Sequence, residues 1–210
     1  MALTKVIGNG LGTLGDGTAN DTKIVFNGNA QDYHIGLDDS ADTLVIGKGS
    51  ALGTTTSMSF EENGIITKPL QPSFLARKNS NLSNFAHGAD ITVDYNEEIF
   101  DQNADYNNSN YTFTAPVTGK YHLNARVRLT YMDTGAGYYY LQIITSNRGY
   151  INIISPKFST DPQFFSLVVS ETVEMDANDT AYCIVYQEAS GTGGQTDIQG
   201  GSTFGGCLVC

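Results

Sequence analysis

"FTAPVTGKYHLNARVRL", Phe113–Leu129, is the stretch on which the reading of this chain turns. It holds two apolar runs separated by a turn, and the second run alternates. Tyr121, Leu123, Ala125, Val127 and Leu129 fall on one side, and His122, Asn124, Arg126, Arg128 and Thr130 on the other. A period of two marks a half-buried β-strand. Pro116 holds φ and lacks a donor, so it belongs where a sheet ladder is broken. Gly119 is expected to supply a positive φ at the bend. An outer face with two Arg in an acidic protein calls for acidic neighbours, on the next strand or on an adjacent chain; the alternative is a solvated face.

The 210 residues carry a net charge of −11, are 40% hydrophobic and only 16% charged, and include 12 Tyr, 10 Phe and no Trp. This length allows one large domain, or an ordinary domain with a smaller element. The aromatic and β-branched content favours sheet over helix. The negative charge argues against nucleic acid and against anionic membranes. No secretory leader and no run of about 18 apolar residues is visible, so no membrane insertion is expected. The three Cys (Cys183, Cys207 and Cys210) cannot all pair within one chain. Reduced, partly buried thiols are expected, with an interchain bond through Cys210 as the alternative.

Residues 1–70 differ from the rest and hold eleven of the 23 Gly. Short apolar pieces alternate with turn signals such as "FNGN", "LDDSAD" and "EENG". Each hairpin is too thin to bury its own apolar face. Such a segment packs against copies of itself in other chains, or wraps the main domain, or forms a small N-terminal sheet of its own. "KPLQPS", Lys68–Ser73, reads as a boundary, because each Pro biases its predecessor toward extended structure. Nine or ten strand candidates follow over residues 71–210, separated by turns and with no good helix between them. That pattern indicates an antiparallel sandwich or jelly roll and argues against βαβ units.

Several consecutive strands are apolar or aromatic on both faces. In "GYYYLQIIT", Tyr139 shares its parity with Leu141 and Ile143, while Tyr138 and Tyr140 share theirs with Gln142 and Ile144. "GYINIIS" and "CIVY" behave in the same way. A monomeric sandwich wets one face of each sheet. The second apolar face therefore asks for a further partner, a neighbouring subunit or a covering loop. Tyr suits such a contact, with an apolar ring and a hydroxyl that finds a partner.

Over residues 71–210 the sequence resembles the C1q/tumour-necrosis-factor type of trimerising head. The residues that carry the resemblance are Phe74–Leu75–Ala76, Asp105–Tyr106 with Asn110, then Phe113, Thr114, Ala115, Pro116, Gly119 and Tyr121, and finally Ser202, Phe204, Gly206 and Leu208. The acidic turn in "EMDANDTAYCIVYQ" is similar to the stretch before that family's penultimate strand. The resemblance implies an all-β, ten-stranded antiparallel jelly roll that forms a homotrimer and acts without catalysis. Phe74, Phe113, Tyr121, Tyr139, Tyr140, Tyr186, Phe204 and Leu208 are then the residues expected in the core or around the three-fold axis. No Gly-x-y repeat precedes the head, so no collagen stalk is expected. Instead "GDGTANDTKIVFNGNAQDYHIGLDDSADTLVIGKGS" is similar to the Gly/Asp-rich β stems of bacteriophage fibre or virion-surface proteins. This implies a short β-hairpin stem joined to other virion proteins, assembly in a bacterial cytoplasm and exposure on the particle.

The clusters that could carry chemistry are sparse. "LDDSAD", "LGDGTAND" and "MDANDT" are oxygen-rich turns, and the first two lack the D-x-[DN]-x-[DN]-G calcium pattern. No cofactor is expected; Ca2+, known in some C1q-like heads, is the one ion to consider, without an assigned ligand set. His34, His87 and His122 are too scattered for zinc, although His122 could make a subunit contact pH-sensitive. No pair of carboxylates is marked as convergent for glycoside hydrolysis, and no G-x-S-x-G turn is present. The loops Asp101–Tyr111, Tyr131–Tyr139 and Glu188–Ser202 remain, with Asp101, Asp105, Tyr131, Asp133, Tyr138, Gln195 and Asp197 as candidate ligand-binding residues. Tyr stacks on sugar faces, and Asp and Gln complete the hydrogen bonds; the same residues also suit plain solubilising loops. Two functions fit: a fibre head that attaches to a host-surface saccharide, and a decoration protein of capsid or tail that binds no glycan. A polysaccharide-degrading tailspike is the less favoured third.

Overall fold

The computed structural model describes residues 14, 15, 17–189 and 195–210. Asp16 of the "LGDGTAND" turn, residues 1–13 and residues 190–194 of the Glu188–Ser202 loop lie outside the described residues. The chain divides into two compact units, Met1–Leu70 and Gln71–Cys210. Every regular element among the described residues is a β-strand.

In the first unit the short apolar pieces do not stand as separate hairpins. They form one antiparallel meander of β1 (Thr22–Phe26), β2 (Tyr33–Asp38), β3 (Thr43–Lys48), β4 (Thr56–Phe60) and β5 (Ile66–Thr67), paired in that order. The register sorts the side chains cleanly. Ile24, Ile35, Ile46 and Met58 line one row, Leu37, Leu44, Phe60 and Ile66 a second, and Phe26 faces Tyr33 at the end. All lie on one face, since partners across a ladder share a side. The other face carries His34, Val45 and Ser59, all buried. His34 packs against Gly47, where a Cβ would come within 2.6 Å of the imidazole ring. Its Nδ1 lies 2.9 Å from the Gly49 carbonyl.

The second unit holds β6 (Ser73–Arg77), β7 (Ile91–Thr92), β8 (Glu97–Asp101), β9 (Tyr106–Asn107), β10 (Thr112–Thr114), β11 (Gly119–Thr130), β12 (Tyr139–Thr145), β13 (Gly149–Ile154), β14 (Phe164–Met175), β15 (Thr180–Gln187), β16 (Asp197–Ile198) and β17 (Thr203–Leu208). One sheet runs β14-β11-β17-β6-β8, with β16 beside β11; the other runs β13-β12-β15-β10-β9, with β7 beside β15. From β10 to β17 the chain passes repeatedly from one sheet to the other, the connectivity of a jelly roll.

β11 is the centre of this arrangement. Tyr121, Leu123, Ala125, Val127 and Leu129 are at most 1% exposed, in line with the alternation of the sequence. They meet Phe74, Phe113, Phe204 and Tyr139 from both sheets in one core. Phe74 stacks on Phe113 at 4.7 Å and on Tyr106 at 5.1 Å, and meets Phe204 edge-on at 5.1 Å. Each ring contributes about 1.5–3 kcal/mol by leaving water, and each aromatic pair about 0.5–1.5 kcal/mol more.

Two local expectations are corrected. Gly119 does not take a positive φ. It is required for space: a Cβ there would lie 2.7 Å from both the Cys210 carbonyl oxygen and Leu208 Cδ1. Within the single chain, Arg126 and Arg128 form no ion pair among the described residues. Their guanidinium groups donate to the backbone carbonyls of Gly201 at 3.0 Å and Gly200 at 3.4 Å, bracing the turn before β17. The three Cys are free; Cys183 is buried, but Cys207 and Cys210 are exposed rather than partly buried.

Candidate functional site

The loop end beyond β11 is where separate segments converge. β11 stops at Thr130, and Tyr131 turns the chain with φ +52° and its side chain 54% exposed. Asp133 follows and is nearly buried. Its carboxylate accepts the Gly135 N–H at 2.7 Å, closing a tight turn, while its own N–H donates to the Tyr139 hydroxyl at 2.9 Å. That hydroxyl also sits 2.7 Å from Thr196 Oγ1. Burial pushes the Tyr139 phenol above its ordinary pKa, with the Thr196 and Asp133 bonds opposing.

Asp161, between β13 and β14, ties these loops together. Its carboxylate accepts the Thr134 N–H at 2.9 Å, the Thr134 hydroxyl at 2.5 Å and Gln195 Nε2 at 2.5 Å. The Thr134 hydroxyl, then the Thr134 N–H, then Gln195 hold its pKa below the ordinary carboxylate value. Asp197 pairs with Thr130 in the short β16 ladder and accepts the Asn84 N–H at 2.8 Å. Tyr131, Asp133, Gln195 and Asp197 are thus gathered at one end of the sandwich.

Tyr138 stands nearby on the outer face of the second sheet, where the rings of Tyr138, Tyr140 and Tyr186 stack at centroid distances of 4.9–6.3 Å. The Tyr140 hydroxyl donates to Asp90, and burial followed by that carboxylate raises the Tyr140 pKa. This ladder gives the second face of the "GYYY" strand partners within its own chain. Ile153 pairs with Tyr140 and lies on the same face.

Asp101 and Asp105 belong elsewhere. Asp101 pairs with Phe74, which aligns through Gly206 with Leu123, near the start of β11. Its carboxylate accepts the N–H groups of Asp105 at 3.1 Å and Tyr106 at 2.8 Å, so it shapes the turn into β9. Burial raises the Asp105 pKa. Phe74, Phe113, Tyr121, Tyr139 and Phe204 are enclosed within the single chain, Leu208 packs against the core, and Tyr140 and Tyr186 face outward.

Sequence reasoning missed Asp161, which stands alone in "STDPQ" with no pattern around it. It also missed a polar groove of about 680 Å³ lined by Asn147, Arg148, Tyr150, Thr172, Glu174 and Asp176 at the tip of the β12–β13 hairpin. The "MDANDT" turn beside it is self-braced: Asp179 accepts the Asp176 N–H at 2.9 Å and Asn147 Nδ2 at 2.7 Å. Among the described residues, no three His, Cys, Asp or Glu side chains are grouped to hold a metal. No helix among them is long and apolar enough to cross a membrane. His122 lies on the outer face, 3.2 Å from the Ser170 hydroxyl.

No family model matches the chain. No curated protein matches it either. Among solved structures, the globular domain of zebrafish complement 1qA protein is similar at 16% identity over 67% of this chain and 98% of that one, with a TM-score of 0.46. The likeness is weak and partial: an all-β chain loosely resembling the C1q-like jelly roll.

Proposed function

We propose that the protein is a non-enzymatic surface protein of a bacteriophage virion. Residues 71–210 assemble as a homotrimer and attach the particle to a host-surface saccharide, and residues 1–70 join it to other virion proteins. The observation that carries this reading is the edge of the sandwich at β13 and β14. There Ile151 and Ile153, on the outer face of the second sheet, and Phe164 and Val168, on the outer face of the first, are 46–61% exposed and flank the edge where β13 and β14 adjoin. Asn152 Nδ2 joins those strands by donating to the Val168 carbonyl at 2.7 Å. An apolar edge of this kind fits a neighbouring subunit. Three copies would present three loop ends together, and multivalency makes weak saccharide contacts useful for reversible attachment. Exposed Tyr131 offers the stacking face, with Gln195 and Asp197 near it.

The test is binding of the intact chain to an array of bacterial surface glycans. Saturable binding, reduced at least tenfold by Tyr131→Ala with the oligomer unchanged, is expected. Binding that ignores Tyr131, or none on any array, overturns the attachment role. The second reading, a decoration protein without glycan binding, is favoured by one observation. The carboxylates of Asp133, Asp161 and Asp197 are each engaged in bracing the loops. It predicts particles that lose physical stability when the protein is omitted.

A further inference from the structure

We propose that the β1–β5 sheet associates through its apolar face with the same sheet of other copies of this chain, the three faces of a trimer meeting one another. The face is defined by the register alone, in the rows described above. Phe26 is 59% exposed, Tyr33 and Ile66 52%, Leu37 45%, Ile24 44% and Leu44 40%. On the opposite face His34, Thr43, Val45 and Ser59 are buried, and only the margins at Lys23 and Thr67 are exposed. An antiparallel sheet with one covered side ordinarily dries its apolar side and wets the other. Here that order is reversed, so the sheet lacks its second layer.

Three observations select copies of the same chain as the occupant. The rows are aliphatic and aromatic apart from Thr22 beside Leu37 and Lys48 beside Tyr33 at their ends. This is the make-up of a permanent homomeric interface; a transient contact with a foreign protein carries more polar groups. Next, four strands of five or six residues and a fifth of two span roughly 20 by 20 Å, so the face offers about 400 Å² in projection at most. A free pair of standard size needs about 800 Å² from each partner, so a free partner would hold weakly here. A copy already tethered nearby is present at roughly millimolar effective concentration, and a small apolar face then suffices. The tether is the chain itself, running through Lys68–Ser73 into residues 71–210. This step rests on the homo-oligomer proposed for that domain.

The test uses the full chain with the exposed thiols removed (Cys207→Ser and Cys210→Ser) and one new thiol at a time. Phe26→Cys and Leu44→Cys report on the apolar face. Lys23→Cys, paired with Gly36 and exposed, reports on the other face. After treatment with a short bis-maleimide, Phe26→Cys and Leu44→Cys are expected to give interchain-linked species at least tenfold above Lys23→Cys. Sedimentation of the same samples before linking separates the two proposals. An oligomer with no excess of links at Phe26 and Leu44 overturns the sheet contact and leaves the assembly of residues 71–210 intact. A monomer without links overturns both. Slow labelling of Phe26→Cys without links shows the face closed by its own chain, which also overturns the inference.

Discussion

Replacing Ile153 by Asp should dissociate the proposed homotrimer while leaving each subunit folded. Ile151, Ile153, Phe164 and Val168 are 53%, 57%, 61% and 46% exposed in the single chain. Fully burying such a side chain contributes about 1.5–3 kcal/mol, so completing a burial already half made contributes about 1 kcal/mol. Four residues then supply about 4 kcal/mol per edge, and a closed trimer has three such edges, about 12 kcal/mol together. Ile153→Ala removes about 1 kcal/mol at each edge. The sum of about 3 kcal/mol raises the trimer dissociation constant roughly 150-fold. Ile153→Asp adds the cost of desolvating a carboxylate, so about 3 kcal/mol per edge is a modest figure. Over three edges, about 9 kcal/mol raises the constant by more than a millionfold. Because the side chain already faces solvent, the isolated subunit should change by about 0.5 kcal/mol or less. Sedimentation equilibrium from 0.1 to 100 µM, paired with circular dichroism, reads both quantities. An Ile153→Asp protein that remains as associated as the native one, or a native chain that is monomeric throughout, refutes the reasoning.

Two further outcomes follow from the interior. Lys78 is 2% exposed and its ammonium lies 2.5 Å from Asp94, whose side chain is 31% exposed. Asp94→Ala strands a fully buried charge and should cost about 3 kcal/mol, whereas Lys78→Met leaves Asp94 with partial access to water and should cost less, about 1 kcal/mol. Urea midpoints that are equal for the two variants contradict this asymmetry. Burial raises the phenol pKa values of Tyr95 and Tyr106 above the ordinary value of 10.0. Their protonated forms are favoured in the folded state, so this stability is whole below pH of about 10 and falls as pH rises beyond it, because the unfolded chain then releases its protons first. Absorbance at 295 nm should show these two phenols ionising only together with unfolding, and ionisation in a folded chain would refute it.

The strand character of residues 71–210 and the burial of one face of β11 are written locally. Side chains alternate along any extended backbone, so Tyr121 through Leu129 sort themselves without reference to the rest of the chain. The same parity separates Tyr139 from Tyr138 and Tyr140. Purpose at single positions was less legible. Gly119 reads as a turn glycine, yet its role is set by Cys210 and Leu208 from the far end of the chain. Arg126 and Arg128 read as seekers of acids, yet carbonyls of the β17 turn reach them first. The loop end is the clearest case. Asp133, Thr134, Asp161 and Gln195 meet only because the sandwich brings three distant loops to one place, and no spacing in the chain encodes that meeting. In residues 1–70 the apolar pieces are plain in the sequence. Which side of the sheet each occupies, and that together they leave an apolar face bare, follows from strand registers that only the paired backbone sets.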